Sequence, residues 1–516
     1  MRQTANMRDS KFHFDERKSR ALLALAIVLA AAQPNRSQQS RQSPTPLQAN
    51  TTLARITSRL EGDFPALMKA ADVPGLSIAL VQDGKVAWVR AFGVKDSKSK
   101  APVTDETVFE AASLSKPVFA YAVLKLVDAG QIDLDKPLNQ YLPGDYDVGP
   151  DPRLSQVTPR RVLTHTAGFP NWRGQDVKLK IYFTPGEKFS YSGEGFVYLS
   201  KVIEHVTGEK LNDFMKRMVF DPLAMKSSSY VWQERYESLK TSRHNTLGEV
   251  SPQIKATPNA AASLHTTAQD YARFIAAVMS GSGLKPETAK SMLTPQIRVD
   301  EGGSNTTVRP ADKLSSTIAW GLGVGLQTTA DGLSFWHWGD NGDAKAYFIA
   351  YPRQKLGFVM FANGSNGLSF LPELVDEAIG GQQPAIAWIK YESYKSPRRM
   401  LLKNIQTKGA EAALLEYRAW RKGRTGDELL NEQQMNRFGY ELLYQLRRPK
   451  DAIEVFKLNV EDYPQSSNTY DSLGEAYMVD DNKEMAIKNY ERSIELNPKN
   501  TDGIERLKKL REGQKQ

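Results

Sequence analysis

The residue types and spacing that could do chemistry meet in Ser113-Leu114-Ser115-Lys116. A spacing of three places Ser113 and Lys116 on the same face of a helix's first turn. Residues 118–127 follow and are nearly all apolar, which predicts a helix buried in a core. Burial lowers the pKa of a lysine, and a serine hydroxyl is a poor nucleophile without a base beside it. We therefore interpret Ser113 and Lys116 as a candidate nucleophile and its base.

Taken alone, Ser-x-x-Lys also fits a helix-capping serine followed by a solvated lysine. The context favours the catalytic interpretation, because a lysine that opens a buried helix is costly without a partner or a function. The 516-residue chain has no cysteine, which excludes a thiol nucleophile, a cysteine-ligated zinc and an iron–sulfur cluster. It also lacks a phosphate loop, a His-Glu-x-x-His zinc motif and a dinucleotide fingerprint. We expect no metal and no cofactor.

The elements that must position these residues combine strands and helices. Four apolar runs with strand character form two predicted hairpins, at 76–81 with 86–94 and at 346–351 with 358–362. The first hairpin turns at Asp83-Gly84, a dipeptide typical of two-residue turns. Helical patterns such as 117–129 and 196–206 lie between the hairpins. This order predicts an α+β domain whose sheet joins distant parts of the chain.

Five further motifs follow Ser113 in a fixed order. They are residues 163–168 (LTHTAG), 185–193 (PGEKFSYSG), 220–223 (FDPL), 263–274 (SLHTTAQDYARF) and His337-Trp338-Gly339. With Ser-x-x-Lys, they resemble the serine β-lactamase and penicillin-binding-protein superfamily, particularly class C β-lactamases, DD-carboxypeptidases, D-aminopeptidases and related esterases. The resemblance covers residues 55–385. It implies an antiparallel sheet flanked by helices, an all-helical subdomain, and a serine hydrolase domain at 53–385.

The resemblance also implies roles for individual residues. Ser113 would form the acyl-enzyme, Lys116 would be its hydrogen-bonded base, and Tyr191 would shuttle a proton to the leaving group. For a phenol to do so at neutral pH, nearby cations must lower its pKa, and Lys116 and His337 are the candidates. His337-Trp338-Gly339 takes the place of the family's Lys-Thr-Gly on the strand that lines the cleft. The oxyanion hole would be the backbone N–H groups of Ser113 and Asp340.

The predicted substrate-lining residues are Gly193, Trp338 and Gly339. Two of them, Gly193 and Trp338, depart from the family pattern. Gly193 stands where the family carries an amide that grips a substrate's acylamide. Trp338 offers a substrate carboxylate no hydroxyl, and His337 is a weaker cation than lysine. Losing these contacts should impair β-lactam or D-alanine recognition more than acyl transfer. We expect an esterase or a D-amino-acid or DD-peptidase-like activity on a small-molecule or peptide substrate; a β-lactamase and a catalytically inactive binding protein are the alternatives.

Other conspicuous residues have two interpretations each. His165 is catalytic by type, but its Thr-His-Thr-Ala-Gly context favours a hydrogen-bonded turn. Asp340 and Asp343 resemble part of a cation-binding loop, although without the glutamate and spacing of a calcium motif solvated loop acids are favoured. Three tryptophans could form either a substrate wall or core packing. These are Trp320, Trp336 and Trp338.

Beyond residue 385, strand patterns give way to charged helical sequence, predicted as a connector at 386–430. A 34-residue repeat follows, in which one alanine, one aromatic residue and one proline recur: Ala452, Phe456 and Pro464 as Ala486, Tyr490 and Pro498. The segment 431–516 resembles tetratricopeptide (TPR) repeats with a closing helix. Such repeats bury their apolar faces by stacking, so we expect the tail to bind a protein partner or to lean on the chain itself.

The N-terminus has the pattern of an export signal, with a basic stretch that ends at Arg20 and twelve apolar residues at 21–32. Twelve residues are too few to span a bilayer. We predict a signal peptide at 1–32, cleaved near Ala32, a flexible linker at 33–52, and a periplasmic or secreted protein; an uncleaved anchor is the alternative. The net charge of +9 is diffuse, so no nucleic-acid partner is expected.

Overall fold

A computed structural model of the protein describes residues 45–144, 146–174, 177–252, 257–299, 317–425 and 429–512. Its central element is an antiparallel sheet of eight strands. In chain order the strands are β1 Gly75–Gln82, β2 Lys85–Gly93, β3 Phe109–Glu110, β4 His265–Thr266, β5 Ile297–Arg298, β6 Ile318–Trp320, β7 Gly325–Thr329, β8 Gly332–Asp340, β9 Lys345–Tyr351 and β10 Leu356–Ala362. The sheet order is β2-β1-β10-β9-β8-β7-β6-β5, and β3 pairs with β4 apart from it.

Both predicted hairpins are present. Strands β1 and β2 pair across Asp83 and Gly84, whose φ angles of 54° and 74° are the positive values that a tight two-residue hairpin turn requires. Strands β9 and β10 form the second hairpin. Strand β1 also pairs with β10, with Leu76 opposite Ala362, so the sheet joins distant parts of the chain as predicted.

Helices cover both faces of the sheet, and this explains why β9 and β10 are buried along their whole length. Phe348 and Ala350 of β9 point into one apolar core, and Tyr347 and Ile349, which alternate with them, point into the other. The helices of this part of the chain are α1 Leu53–Ala70, α2 Ser115–Asp128, α3 Pro159–Leu163, α4 Gly193–Thr207, α5 Leu211–Met215, α6 Tyr236–Leu239, α7 Ala268–Ser280, α8 Pro286–Met292, α9 Leu371–Ala378 and α10 Pro384–Ile389.

These elements confirm the predicted fold class. Between β3 and β4 the described residues are helical or irregular, as expected for the helical subdomain. Helices α2 and α4 coincide with the patterns predicted at 117–129 and 196–206. Strands β5 to β7 had no clear signal in the sequence. Just past the predicted boundary at 385, Trp388 of α10 is buried in one of the two sheet cores, and the domain boundaries stay predictions.

The chain from residue 397 to 512 is helical in its described part and has a core of its own. In this core Gly439 lies against the ring of Phe456, and Gly474 lies in the same way against Tyr490. The repeat hypothesis pairs exactly these two aromatic positions, and the assignment to TPR repeats stays a prediction. The helices are α11 Pro397–Lys408, α12 Ala410–Arg421, α13 Glu432–Tyr440, α14 Pro449–Asp462, α15 Ser467–Val479, α16 Lys483–Leu496 and α17 Thr501–Glu512.

The predicted signal peptide at 1–32 and the first part of the predicted linker lie outside the described residues. Near the end of that linker, Gln48 is buried, and its backbone N–H donates to the carbonyl of Ile379 at 2.8 Å. Its side-chain amide donates to the carbonyls of Asp376 and Glu377. The packed part of the chain therefore starts before residue 53. None of the helices in the described residues is long and apolar enough to cross a membrane.

Candidate active site

Ser113 lies in the 3₁₀ turn Ala112–Leu114, immediately before α2. The sequence placed Ser113 inside the first turn of the helix, and the structure places it one turn earlier. Ala112 has a φ of 48°, a left-handed conformation that costs a residue with a side chain and that clusters at functional sites. The Ser115 hydroxyl donates to the Ala112 carbonyl at 2.6 Å and so holds this turn. In this turn Ser113 is half-buried.

Lys116 is fully buried and touches the proposed nucleophile. Its Nζ donates to Ser113 Oγ at 3.0 Å and to the carbonyl of Ala261 at 2.9 Å. It also lies 4.9 Å from the centre of the Tyr191 ring. No carboxylate among the described residues pairs with it, and burial lowers its pKa to about 7. At neutral pH a large fraction of Lys116 is therefore uncharged and able to accept a proton.

Tyr191 and His337 complete the cluster, but their charge states differ from the expectation. Tyr191 Oη lies 3.4 Å from His337 Nε2, and His337 Nδ1 donates to the Trp338 carbonyl at 2.7 Å. Burial, and then the Lys116 charge, lower the pKa of His337 to about 3, so the ring is neutral. Burial raises the pKa of Tyr191, and a hydrogen bond with Ser113 offsets only part of this effect. The expectation that cations lower the tyrosine's pKa is wrong, because burial dominates.

His165 lies in the hydrogen-bonded turn that its sequence context favoured. The hydroxyls of Thr164 and Thr166 are 2.9 Å apart across it. His165 Nδ1 accepts the backbone N–H of Ser192 at 3.0 Å, and its ring centre lies 4.2 Å from that of Tyr191. Burial lowers the pKa of His165 well below its usual range. His165 therefore acts as a neutral support for the segment that carries Tyr191.

The end of β8 is held directly against the turn that carries Ser113. A Cβ on Gly339 would lie 2.5 Å from the Ala111 carbonyl, so only glycine permits this approach. Asp340, the next residue, ends β8, and the assignment of its backbone N–H as the second oxyanion donor stays a prediction. Its carboxylate accepts from Lys345 Nζ at 2.5 Å. Asp340 is exposed, in keeping with the prediction of a solvated acid, and its carboxylate is also engaged in an ion pair.

Asp343 is engaged as well, since its carboxylate accepts from the hydroxyls of Ser251 and Ser365. The described residues contain no group of three or more acidic or histidine side chains that could hold a metal ion.

The family model described as Beta-lactamase matches residues 60–377, which is more than half of the chain. This chain belongs to the beta-lactamase family. At the level of that family it is a serine hydrolase. The match covers Ser113, Lys116, Tyr191 and the segment around His337.

Curated relatives and solved structures agree with this assignment. Esterase EstB of Burkholderia gladioli is 24% identical over 322 residues, which are 52% of this chain and 79% of EstB. Protein flp of Staphylococcus aureus strain COL is 24% identical over 357 residues, which are 63% of this chain and 66% of flp. Two solved structures share the fold. The octameric penicillin-binding protein homologue from Pyrococcus abyssi has a TM-score of 0.52 and 23% identity. The match covers 67% of this chain and 81% of the homologue's chain. D-alanine carboxypeptidase AmpC from Burkholderia cenocepacia has a TM-score of 0.53 and 19% identity. The match covers 63% of this chain and 98% of the AmpC chain.

The structure shows what fills the space at Gly193, where the family carries a larger side chain. A Cβ on Gly193 would lie 2.9 Å from both the Asn171 carbonyl and the indole of Trp172. Trp172 is 49% exposed, and its ring centre lies 5.9 Å from Lys116 Nζ. Sequence reasoning missed Trp172. The sequence around Gly193 carries no signal for it, because Trp172 is brought there by the fold.

The tryptophans resolve into two roles. Trp320 and Trp336 are fully buried and belong to the core. Trp338 is half-buried, and its ring centre lies 4.8 Å from that of Tyr191. Trp338 therefore lies beside Tyr191, and its role in lining a substrate site stays a prediction. Trp172 joins it as a second aromatic side chain near the reacting groups.

A buried ionic cluster lies next to the turn that carries Ser113. It was not predicted from the sequence. Glu110, three residues before Ser113, accepts from Arg243 through both carboxylate oxygens and pairs with Lys240 at 2.7 Å. Burial alone would raise the pKa of Glu110, but the two cations hold it at about 2. Asn341, just past β8, donates to the carbonyl of Ala262 at 3.2 Å and lies 3.4 Å from Glu110. The cluster thus links β3, which precedes Ser113, to the loop that follows β8.

Proposed function

We propose that this chain is an exported serine esterase that hydrolyses uncharged esters through an acyl-enzyme on Ser113. The observation that carries the proposal is the fully buried Lys116, whose Nζ lies 3.0 Å from Ser113 Oγ and whose pKa is lowered to about 7. A base with a pKa near the working pH is the most effective proton acceptor for a hydroxyl nucleophile. Lys116 meets this condition without any cofactor.

The geometry supports a complete acyl-transfer cycle. Neutral Lys116 takes the proton of Ser113 as Oγ attacks the ester carbonyl, and the backbone N–H groups of Ser113 and Asp340 stabilise the oxyanion. Tyr191 keeps its own proton at neutral pH, so it acts as a relay: it donates to the leaving alcohol while it takes up the proton from Lys116. Collapse releases the alcohol and leaves the acyl-enzyme. Water, activated by the same groups, then hydrolyses the acyl ester on Ser113.

The electrostatics of the cleft favour an uncharged substrate. His337, in the place of the family's lysine, is neutral because its pKa is about 3, and Lys116 is largely neutral above pH 7. A substrate carboxylate would therefore meet no fixed positive charge at the position where the family recognises it. The carboxylate of Asp340 lies three residues after His337 on the same strand, and Trp172 and Trp338 offer apolar surface. The name of the relative EstB, an esterase, supports the same substrate class.

A substrate panel tests the proposal. We expect the protein to hydrolyse p-nitrophenyl acetate and butyrate faster than nitrocefin or D-alanine p-nitroanilide. Faster turnover of nitrocefin would contradict the proposed substrate class and favour a β-lactamase, and faster turnover of the D-alanine amide would favour a peptidase. Intact mass after exposure to a fluorophosphonate should show one adduct, absent from Ser113→Ala. No adduct on the wild-type protein would refute the enzyme and favour an inactive binding protein.

Export and the role of the tail belong to the same proposal. The pattern at 1–32 supports export, and the intact mass of the secreted protein tests it: a chain that begins after Ala32 is expected. For the tail, we propose that 431–516 binds a protein partner. Deletion of 431–516 should then leave ester hydrolysis unchanged, and a loss of hydrolysis would show that the tail supports the catalytic domain instead.

A further inference from the structure

A tyrosine outside the family-matched segment contacts the strand that carries the proposed oxyanion donor. Tyr391 lies beyond residue 377, where the match ends, and just past α10. Its hydroxyl donates to Asp340 Oδ2 at 2.5 Å. Under the proposed function, the backbone N–H of Asp340 is the second donor to the oxyanion. Tyr391 therefore contacts the side chain of the residue whose backbone N–H is proposed to stabilise the transition state.

The carboxylate of Asp340 is held from several directions. Its Oδ1 accepts from Lys345 Nζ at 2.5 Å and from the backbone N–H of Gly342 at 2.8 Å, and its Oδ2 accepts from Tyr391. Lys345 Nζ also lies 5.3 Å from the centre of the Tyr391 ring. Burial and the Asp340 charge raise the pKa of Tyr391, so its hydroxyl keeps the proton that it donates. These three donors restrain the Asp340 carboxylate in the position where it pairs with Lys345.

Tyr391 itself is placed by a packed neighbour. Trp388 of α10 is buried, and its ring centre lies 5.8 Å from that of Trp338 and 6.3 Å from that of Phe189. Lys390 ends α10 with a φ of 55°, and this left-handed turn directs the chain to Tyr391. The position of the Tyr391 hydroxyl is therefore tied to the same strand that carries Asp340. The contact does not depend on a long, free loop.

The position of this carboxylate matters because it lies next to a developing negative charge. Two like charges a few ångströms apart in a partly buried site repel strongly. A carboxylate that turned towards the cleft would oppose the oxyanion, whereas one that is neutralised and held to the side leaves the backbone N–H free to donate. The Tyr391 hydrogen bond and the ion pair with Lys345, the residue opposite Asp340 in β9, both restrain Asp340 at the end of its strand. The electrostatic effect acts only when the oxyanion forms.

We propose that Tyr391 is a positioning residue for ester hydrolysis: it holds Asp340 so that the backbone N–H of Asp340 faces the oxyanion. This inference rests on the proposed function, since it needs the acyl-enzyme chemistry at Ser113. It extends the active site to a segment of the chain that the family match does not include.

The test is Tyr391→Phe in the full chain, compared with Tyr394→Phe, the same change three residues later. We expect kcat for p-nitrophenyl acetate to fall about tenfold in Tyr391→Phe with KM within about twofold, because a hydrogen bond to a charged acceptor is lost and its effect is felt in the transition state. The rate of fluorophosphonate labelling should fall in parallel. Tyr394→Phe should match the wild type. An unchanged kcat in Tyr391→Phe, or an equal loss in both variants, would overturn the proposal.

A double-mutant cycle separates positioning from general stability. If Tyr391 acts through the carboxylate, then Tyr391→Phe should have no further effect on kcat in an Asp340→Ala background. Additive losses of kcat in the double variant would refute the positioning role. A loss of kcat in Tyr391→Phe that is fully accounted for by a lower melting temperature would also refute it. A wild-type protein that takes no fluorophosphonate would refute the proposed function. A reactive wild type with the same rate as Tyr391→Phe would refute only the role of Tyr391.

Discussion

The rate of acylation should depend on pH through the ionisation of Lys116. The lysine must be neutral to accept the Ser113 proton, and its pKa is lowered to about 7. The neutral fraction is then about a half at pH 7, roughly a tenth at pH 6 and roughly a hundredth at pH 5. Acylation should therefore fall about 50-fold between the plateau above pH 8 and pH 5.3. Since His337 is already neutral and Tyr191 remains protonated, no second ionisation should appear from pH 5 to 9.

The assay is the second-order rate constant for fluorophosphonate labelling, followed by intact mass from pH 5 to 9. Reaction of the free enzyme reports the pKa of the unliganded site. Ser113→Ala corrects for labelling elsewhere. A flat profile would refute the role of Lys116 as the base, and a midpoint above pH 9 would show that the lysine is charged and that burial does not set its pKa.

The same lowered pKa has a consequence for stability. The folded protein releases the Lys116 proton near pH 7, whereas the unfolded chain keeps it until about pH 10.4. The unfolded state binds more protons in this window, so the contribution of Lys116 disfavours folding below it and improves as pH rises through it. Lys116→Met should thus raise the melting temperature at pH 7, and the gain should shrink towards pH 10. A lower melting temperature at pH 7 would contradict the burial of an unpaired lysine.

Three further predictions concern other parts of the chain. Trp172→Ala should raise KM for p-nitrophenyl butyrate about fivefold and leave kcat nearly unchanged, because an aromatic contact is worth about 1 kcal/mol. Glu110→Gln should lower the free energy of unfolding by about 3–5 kcal/mol in urea titrations, since Arg243 and Lys240 lose their buried carboxylate. Gly439→Ala places a Cβ 2.4 Å from the Phe456 ring and should destabilise the tail by about 1–3 kcal/mol in calorimetry without loss of ester hydrolysis.

Each of these has an outcome that would contradict it. A fall in kcat without a change in KM would place Trp172 in the chemical step. An unfolding free energy within about 0.5 kcal/mol of the wild type would show that Glu110 is not needed to pair the buried cations. For Gly439→Ala, the matched control is Gly62→Ala, another helical glycine, in α1, whose added Cβ would meet nothing within 4 Å. Neither glycine has a positive φ, so equal losses in both variants would contradict the role of the Phe456 contact.

The sequence predicted the elements with strong local patterns. The hairpin β9–β10 was visible because both strands are apolar throughout and short turns bound them. Strand β7, which is only five residues long and has two threonines at its exposed end, gives no such pattern. Its position depends on pairing with β8, a contact that the local sequence does not encode. Helix α2 was predictable since its long apolar run needs burial on every side.

The candidate site divides in the same way. Ser113 and Lys116 could be found from their spacing, because one helical turn brings them together. Trp172, Glu110 and Tyr391 could not, since only tertiary folding brings each of them to the cleft or its support. The charge of His337 was missed for a related reason. An exposed histidine has a pKa near 6.5, and the complete burial that lowers it to about 3 is a property of the fold.

The contacts of the C-terminal segment decide what a truncation can test. Lys403 of α11 donates to the last carbonyls of α1, those of Lys69 and Ala70, and pairs with Asp72 at 3.1 Å. Together with Trp388 and Tyr391, this contact lies before residue 431. Deletion of 431–516 therefore removes the proposed partner-binding repeats and keeps these contacts in the chain, although it also removes part of the core that residues 397–512 share. Deletion from residue 386 removes both, so a loss of hydrolysis in the longer deletion alone would assign the connector to the catalytic domain.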